Sequence, residues 1–384
     1  MPFFKSKDSY LGIDFDSSSI KVVELKNESG RPRLITYGYY DRTLTQGDRS
    51  DTAGNISEAS HLIKQVCAKA KVTSKKVITA MPAFSVFSSI LTLPSMSKKD
   101  MASAVKWEAK KVIPMPIDEM ILDWKLLENF DDASMVDQPP IPGGTGNGKD
   151  VQHGLRVERR KFLKISQESK GQYLKVLLTA APKDLVKRYV DTFKSAGLTL
   201  LSLDTEAFAL IRSLVGNDKS ALMLVDIGSV VTNISVIVNG IPVFSRSMDI
   251  GGSTITQAIA NSLNITLERA EQFKYDIGMN PERVGQGSVP KTIEDTLTPI
   301  VDELKYSLNL YRSQGKHTIE KLILTGGSSL LLNLPNYLGN ILSLKVYLGD
   351  PWARVIYPEE LKPVLDEIGA RFSVAIGLAM RNIE

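Results

Sequence analysis

LGIDFDSSSIKVVEL at residues 11–25 and LVDIGSVVTNISVIV at residues 224–238 are two versions of one pattern. Set with Asp14 facing Asp226, each is an apolar strand ending on aspartate and one apolar residue, then a turn of small residues, then a strand of alternating Val and Ile. The first turn reads Asp16, Ser17, Ser18, Ser19, the second Gly228, Ser229, Val230, Val231, and Lys21 faces Asn233. If a phosphate chain lies between the two hairpins, turn N–H groups and Ser hydroxyls can donate to its oxygens. Lys21 would add a point charge and Asn233 a neutral amide. Asp14 and Asp226 could hold hydrated Mg²⁺, which favours a few carboxylates with water and phosphate. One such hairpin would be an ordinary Asp- and Ser-rich turn; two copies, one in each half, favour the phosphate reading.

Two further segments extend the pattern. KLILTGGSSLLLNLPNYL at 321–338 reads as a buried strand, a turn at Gly326 and Gly327, and a helix beginning near Ser328 that takes in Leu330. Glycine lets backbone approach a flat ligand, and a helix N-terminus offers free N–H groups. TLERAEQFKYDIG at 266–278 reads as a helix capped by Thr266, with Glu271 and Lys274 on one face. That pair is either a surface ion pair or a clamp on ribose and base. Gly251 and Gly252 complete the candidate cofactor set.

Around these segments the chain reads as α/β. A third strand at 33–40, a helix at 57–71 and a buried strand at 77–82 follow the first hairpin. A second unit starts near Val86 with VFSSILTLP, and Ser97 with Asp100 opens a helix running to Val112. Strands at 121–130 and 172–180 flank QPPIPGGTGNGKD, too rich in Pro, Gly and Asn to build a core, and VERRKFLKIS, a solvated extension or a basic docking surface. A helix at 183–195 ending at Gly197, a strand at 199–203 and a helix at 205–214 lead into the second hairpin.

Composition narrows the function. The 384 residues carry 47 Lys and Arg against 43 Asp and Glu, a net +4 too diffuse for a nucleic-acid surface. One cysteine, Cys67, excludes a disulfide scaffold, and with His61, His153 and His317 scattered there is no zinc spacing. No apolar run reaches the ~18 residues of a spanning helix, and MPFFKSKDSY lacks a signal-peptide core, so a cytoplasmic protein is expected. Phe3, Phe4 and Lys5 bury too little to anchor it to a membrane.

Two Asp-bearing phosphate hairpins followed by an apolar strand with Gly-Gly resemble the superfamily of actin, sugar kinases and heat-shock chaperone ATPases. Within it the chain is similar to PilM-like type IV pilus assembly proteins, FtsA-like members. The likeness runs from LGIDFDSSSIKVVEL through KWEAKKVIPMPIDEMILDW, LLTAAPKDLVKRYVDTFKSAGL, DTEAFALIR and AEQFK to FSVAIGLAMR. It implies an actin-like ATPase fold of two RNase H-like lobes with ATP and Mg²⁺ between them. Subdomain 1A would span 1–83, with 181–220 and a returning helix at 365–384. An inserted FtsA-type 1C subdomain would span 84–180, with a flexible loop at 131–171, and lobe two 221–364, with a 2B insertion at about 253–292. It also implies a partner, the N-terminal cytoplasmic tail of a PilN-like inner-membrane protein held near 1A and 1C, which would supply the membrane association. Contacts with the pilus motor ATPase and self-association would fit the same role.

Relatives commonly have Gly where this chain has Asp16. Facing a phosphate, its charge would oppose binding; turned outward, it would cap its own turn. Hydrolysis needs a group that orients water at the γ-phosphate. Glu206 of DTEAFAL matches best, its alternative being a first-turn Glu favoured by the helix dipole. An ATP-binding adaptor, at most a slow ATPase, is the expected function. A small-molecule kinase would need an Asp base beside an acceptor pocket, and an FtsA-like filament protein would favour an amphipathic tail where this sequence reads RNIE.

Overall fold

A computed structural model describes residues 9–16, 18–41, 55–127, 173–280, 289–314 and 318–383. Phe3, Phe4, Lys5, Ser17, His153, His317, the loop expected at 131–171 and its VERRKFLKIS cluster lie outside the described residues.

The sequence repeat is a topological repeat. In the first sheet, β1 (Ser9–Phe15) pairs antiparallel with β2 (Ser19–Glu28), which pairs antiparallel with β3 (Arg31–Asp41). On its other side β1 runs parallel to β4 (Lys76–Met81), which runs parallel to β8 (Thr199–Thr205). The second sheet repeats that arrangement. Its β9 (Leu222–Ile227), β10 (Thr232–Val238) and β11 (Ile241–Met248) form the antiparallel ribbon, and β12 (Lys321–Thr325) and β13 (Lys345–Leu348) add in parallel beside β9. A third, antiparallel sheet places β7 (Tyr173–Pro182) between β5 (Phe87–Pro94) and β6 (Met120–Leu127). Helix α2 (Lys98–Val112) covers it through Met101, Val105 and Ala109, against Leu91, Leu93 and Leu178.

Central strands that are apolar on both faces need cover on both faces. Leu11, Ile13 and Val22 pack under α1 (Ile56–Lys69) and α3 (Lys183–Ser195), through Ile63, Val66, Tyr189 and Phe193. The next residue along β2, Val23, faces the other way, toward Phe372 and Ala379 of α9 (Lys362–Met380). The second sheet rests one face on α5 (Gly252–Leu263) and α7 (Val289–Gln314), by way of Ile255, Ile259, Ile293 and Leu304. Its opposite face meets the first sheet through a shared core: Ile78 and Ala80, then Ala209 and Leu210 of α4 (Glu206–Leu210) with Val374 and Leu378 of α9, then Leu222 and Leu224. The helices α4 and α9 thus contribute to one apolar core with both sheets.

That core depends on two glycines. A Cβ on Gly12 would lie 2.0 Å from the Ala375 carbonyl oxygen and 2.7 Å from the Ala379 nitrogen, and one on Gly377 would lie 1.8 Å from the Ala209 carbonyl oxygen. Backbone meets backbone there, so no side-chain adjustment can make room.

One sequence expectation is corrected. The helix expected near Ser328 is a single 3₁₀ turn over Gly327–Leu330, and the α-helix that follows, α8 (Leu334–Leu342), starts later. Asn333 adopts a left-handed conformation at φ 65, which breaks the chain direction, and Pro335 at the first turn of α8 cannot donate to a preceding helical turn. Among the described residues, no helix is long and apolar enough to cross a membrane.

Gly12→Ala and Gly377→Ala should each cost about 3 kcal/mol or more of unfolding free energy, because the added methyl displaces a buried helix. Urea denaturation measures this; a midpoint equal to the parent's would show that α9 can retreat without cost.

Candidate functional site

Strand register builds the site. Asp14 near the end of β1 stands directly opposite Lys21 of β2, and Asp226 of β9 stands opposite Asn233 of β10. Residues paired across antiparallel strands project from the same face, so each aspartate shares its face with its partner. The two turns close alike: Asp16 N–H donates to the Ser19 carbonyl at 3.0 Å and Gly228 N–H to the Val231 carbonyl at 3.0 Å.

The side chains differ between copies. Lys21 is buried and its ammonium donates to Asp14 Oδ2 at 3.0 Å, Asp16 Oδ2 at 3.2 Å and Ser19 Oγ at 2.7 Å. Burial works against its charge, but Asp14 and Asp16 outweigh burial and hold its pKa above the ordinary lysine value. Asp16 does cap the turn, but its carboxylate turns in among the loop donors rather than outward. Its Oδ1 accepts from Ser18 N–H at 2.6 Å, Ser18 Oγ at 2.7 Å and Ser19 N–H at 2.7 Å, and Oδ2 accepts from Ser19 Oγ at 2.9 Å. Burial pushes this carboxyl up, yet Lys21 and these donors bring it below the usual carboxylate range.

The acids around them are destabilised. Burial, and then the charge of Asp14, push the Asp226 carboxyl up to about 7. Asp14 is itself raised, chiefly by burial, against the pull of Lys21. Glu206, the first residue of α4, is raised well above its ordinary value by burial and then by Asp14 and Asp226. Its Oε2 accepts both the Ala83 N–H at 3.1 Å and the Asn233 amide at 3.0 Å. Asn233 is held from its other end by Ser247 Oγ, which donates to its Oδ1 at 2.7 Å.

Residues from distant parts of the chain meet beside the second hairpin. The Gly228 carbonyl accepts from Gly252 N–H at 2.9 Å and Ser328 Oγ at 3.4 Å, and the Ser229 carbonyl accepts from Ser253 N–H at 2.8 Å. Gly251 N–H donates to Thr254 Oγ1 at 3.3 Å at the start of α5. Gly326 sits at φ 84 where a Cβ would lie 2.3 Å from Asp226 Oδ1, so a left-handed residue without a side chain is required. Gly327, Ser328 and half-buried Leu330 share the turn that follows. On α6 (Leu267–Ile277), Lys274 Nζ donates to both Glu271 oxygens at 2.7 Å, to Thr256 Oγ1 at 3.0 Å and to the Gly252 carbonyl at 3.3 Å. Lys274 is 2% exposed, so the surface ion-pair reading does not hold for it. Burial lowers its pKa against the pull of Glu271.

Sequence reasoning missed Thr256, Ala83 and the pair Arg371–Asp41. Arg371 of α9 donates to both Asp41 oxygens at 2.6 and 2.7 Å, lies over the Tyr39 ring at 5.1 Å, and flanks Gly327. These residues are far apart in the chain and carry no local motif.

Two sheets of identical strand order, with paired Asp-bearing hairpins and a glycine turn beside the second, define a two-lobed protein of the actin-like ATPase fold. The chain belongs to the type IV pilus assembly protein PilM family, whose model matches residues 12–138 and 161–383. It is similar to a structure titled PilM-PilN type IV pilus biogenesis complex, at 26% identity, TM-score 0.73 and 98% coverage of both chains. The cell division protein FtsA of Neisseria meningitidis serogroup B is 22% identical over 407 residues, covering 97% of this chain and 90% of that protein. Ethanolamine utilization protein EutJ from Carboxydothermus hydrogenoformans shares the fold at TM-score 0.53 and 14% identity, covering 97% of this chain and 89% of its own.

The acid cluster sets a pH dependence. The folded protein keeps a proton on Asp226 up to about 7, whereas an unfolded aspartate loses it near 3.8. The folded state therefore binds more protons, and stability falls as pH rises between these values and levels off above them. Asp226→Asn should flatten that slope and raise stability at pH 8 by roughly 2 kcal/mol. Thermal melts at pH 5, 6 and 8 check it; parallel curves for parent and variant would contradict it.

Proposed function

We propose that the space between the two hairpins binds ATP with Mg²⁺. We further propose that the chain is a cytoplasmic adaptor of a type IV pilus or type II secretion-like inner-membrane platform, binding the N-terminal tail of a PilN-like membrane protein. The nucleotide part is carried by the acid pair of half-buried Asp226, its carboxyl pushed up to about 7, and buried Asp14, the neighbouring charge. Such a pair suits a cation that accepts two carboxylates plus water and phosphate. Family membership and the likeness to a PilM-PilN complex support the partner part.

On this reading Asp14 and Asp226 hold Mg²⁺ through water. Ser18, Ser19, Lys21, Gly228, Ser229 and Asn233 would face the phosphates, while Gly251, Gly252, Glu271, Lys274, Gly326, Gly327, Ser328 and Leu330 would surround adenosine. The bound cation would supply charge neutralisation along the phosphate chain. Glu206 would orient a water, and its carboxyl pKa, raised well above the ordinary value, suits slow turnover or none. Residues 1–83, with 181–220 and 365–384, serve as subdomain 1A, 84–180 as 1C, and 221–364 as lobe two. The peptide would meet 1A and 1C where large apolar side chains stay exposed: Phe84, 68% exposed, in the turn before β5, and Trp107, 65% exposed, on α2. The motor ATPase and a second copy of the chain are further partners consistent with an adaptor.

Titration with Mg·ATP and with the tail peptide, each in the presence of the other, tests this. Both should bind, and each should change the other's affinity by the same factor. Lys21→Ala should weaken ATP about tenfold or more, and Trp107→Ala should weaken the peptide while leaving ATP alone. Binding of neither ligand, or ATP affinity indifferent to Lys21, overturns the proposal. Sugar-dependent ATP turnover would establish a kinase instead.

A further inference from the structure

The donors attributed above to phosphate binding in the first hairpin already have an acceptor. Ser18 N–H, Ser19 N–H, both serine hydroxyls and the Lys21 ammonium all donate to the Asp16 carboxylate, at 2.6 to 3.2 Å. An aspartate that only caps a turn needs one or two backbone donors. Here both oxygens are saturated and the second reaches a buried lysine that Asp14 already neutralises. The second hairpin closes with the same backbone bond but has Gly228 at this position, and hence no side chain to compete. Carboxylate and phosphoryl oxygens accept the same charge-assisted bonds at the same distances. The Asp16 side chain is 38% exposed against 10% for Lys21, so it has a route to water while the lysine stays in place.

We propose that Asp16 is a built-in competitor for the phosphate chain: its carboxylate occupies the first hairpin's donors in place of a phosphoryl group, and a nucleotide binds by displacing it. This rests on the ATP reading. If only the fraction of molecules with Asp16 swung out is competent, apparent affinity is lowered by that fraction. Removing the competitor then tightens binding without any new contact, and only for ligands that carry phosphate.

The test compares the full chain with Asp16→Gly, which copies the second hairpin, and Asp16→Asn, which keeps a turn-capping oxygen and removes the charge. Calorimetric titration with Mg·ATP, tripolyphosphate and adenosine supplies the readout, and thermal melts establish which variants are folded. The expected result is ATP and tripolyphosphate binding about tenfold tighter or more in a folded variant, with adenosine unchanged. If the parent binds ATP and neither folded variant binds it more tightly, or if adenosine tightens equally, the competitor role is overturned and the ATP reading survives. If no form binds ATP, the ATP reading fails and the competitor role with it.

Discussion

Three carboxyl groups, buried Asp14 and half-buried Asp226 and Glu206, lie within reach of one another's fields, and the lysine among them, Lys21, is already bonded to Asp14 and Asp16. A packed interior does not tolerate unbalanced acids by default; it protonates them, and the upward shifts record that cost. The arrangement persists because the backbone leaves no alternative. Asp14 and Asp226 are fixed by the register of the strand pairs that found the two sheets, and those strands are buried on both faces. Everything distinctive about the cleft, from the proton held near neutrality to the serine turn gathered around a carboxylate, follows from placing acids where the fold cannot let them out.

The fold can sustain this because its two halves are not joined by a linker alone. Helices α4 and α9 share an apolar core with both sheets, and Gly12 and Gly377 let backbones touch where any Cβ would separate them. Arg212 adds a polar tie, donating to the Gly377 carbonyl at 2.8 Å and pairing with Asp204 of β8. One packed core thus holds the two sheets together, and Glu206 at the start of α4 feels the charges of both hairpin aspartates.

Much of this was legible in the sequence, and the reasons are physical. Period-two alternation and a repeated Asp-turn-strand pattern survive as text, so the correspondence of Asp14 with Asp226 and of Lys21 with Asn233 could be read from spacing, whereas the cross-strand pairs Asp14 with Lys21 and Asp226 with Asn233 emerge only from the strand register. Glu206 could be placed beside the second hairpin, but its bond to Ala83 could not, since 123 positions separate them. Burial of Lys274 was invisible because Glu and Lys three apart look the same on a surface helix and in a pocket closed by Thr256 and Gly252. The turn at Ser328 misled for the opposite reason: Gly-Gly after a strand commonly opens a helix, and here a left-handed Asn333 and Pro335 delay it. Asp16 was seen as a departure, yet nothing in its neighbours told whether its carboxylate turned in or out.

The position of Glu206 connects the cleft to the third sheet. One oxygen takes two donors, the amide of Asn233 on the second hairpin and the N–H of Ala83. Ala83 opens the turn Ala83–Ser85 that leads directly into β5, and the exposed Phe84 is its next residue. Any change that draws this carboxyl toward the cleft must loosen one bond or both, and a half-buried N–H left without an acceptor carries a cost. The turn would then be pressed to re-pair, and β5 would carry that shift into the three-stranded sheet. On the proposed function, the acid best placed to sense the phosphates is thus also bonded to the root of the unit that would hold the peptide, which gives the two ligands a short physical path for the reciprocity that coupled binding requires.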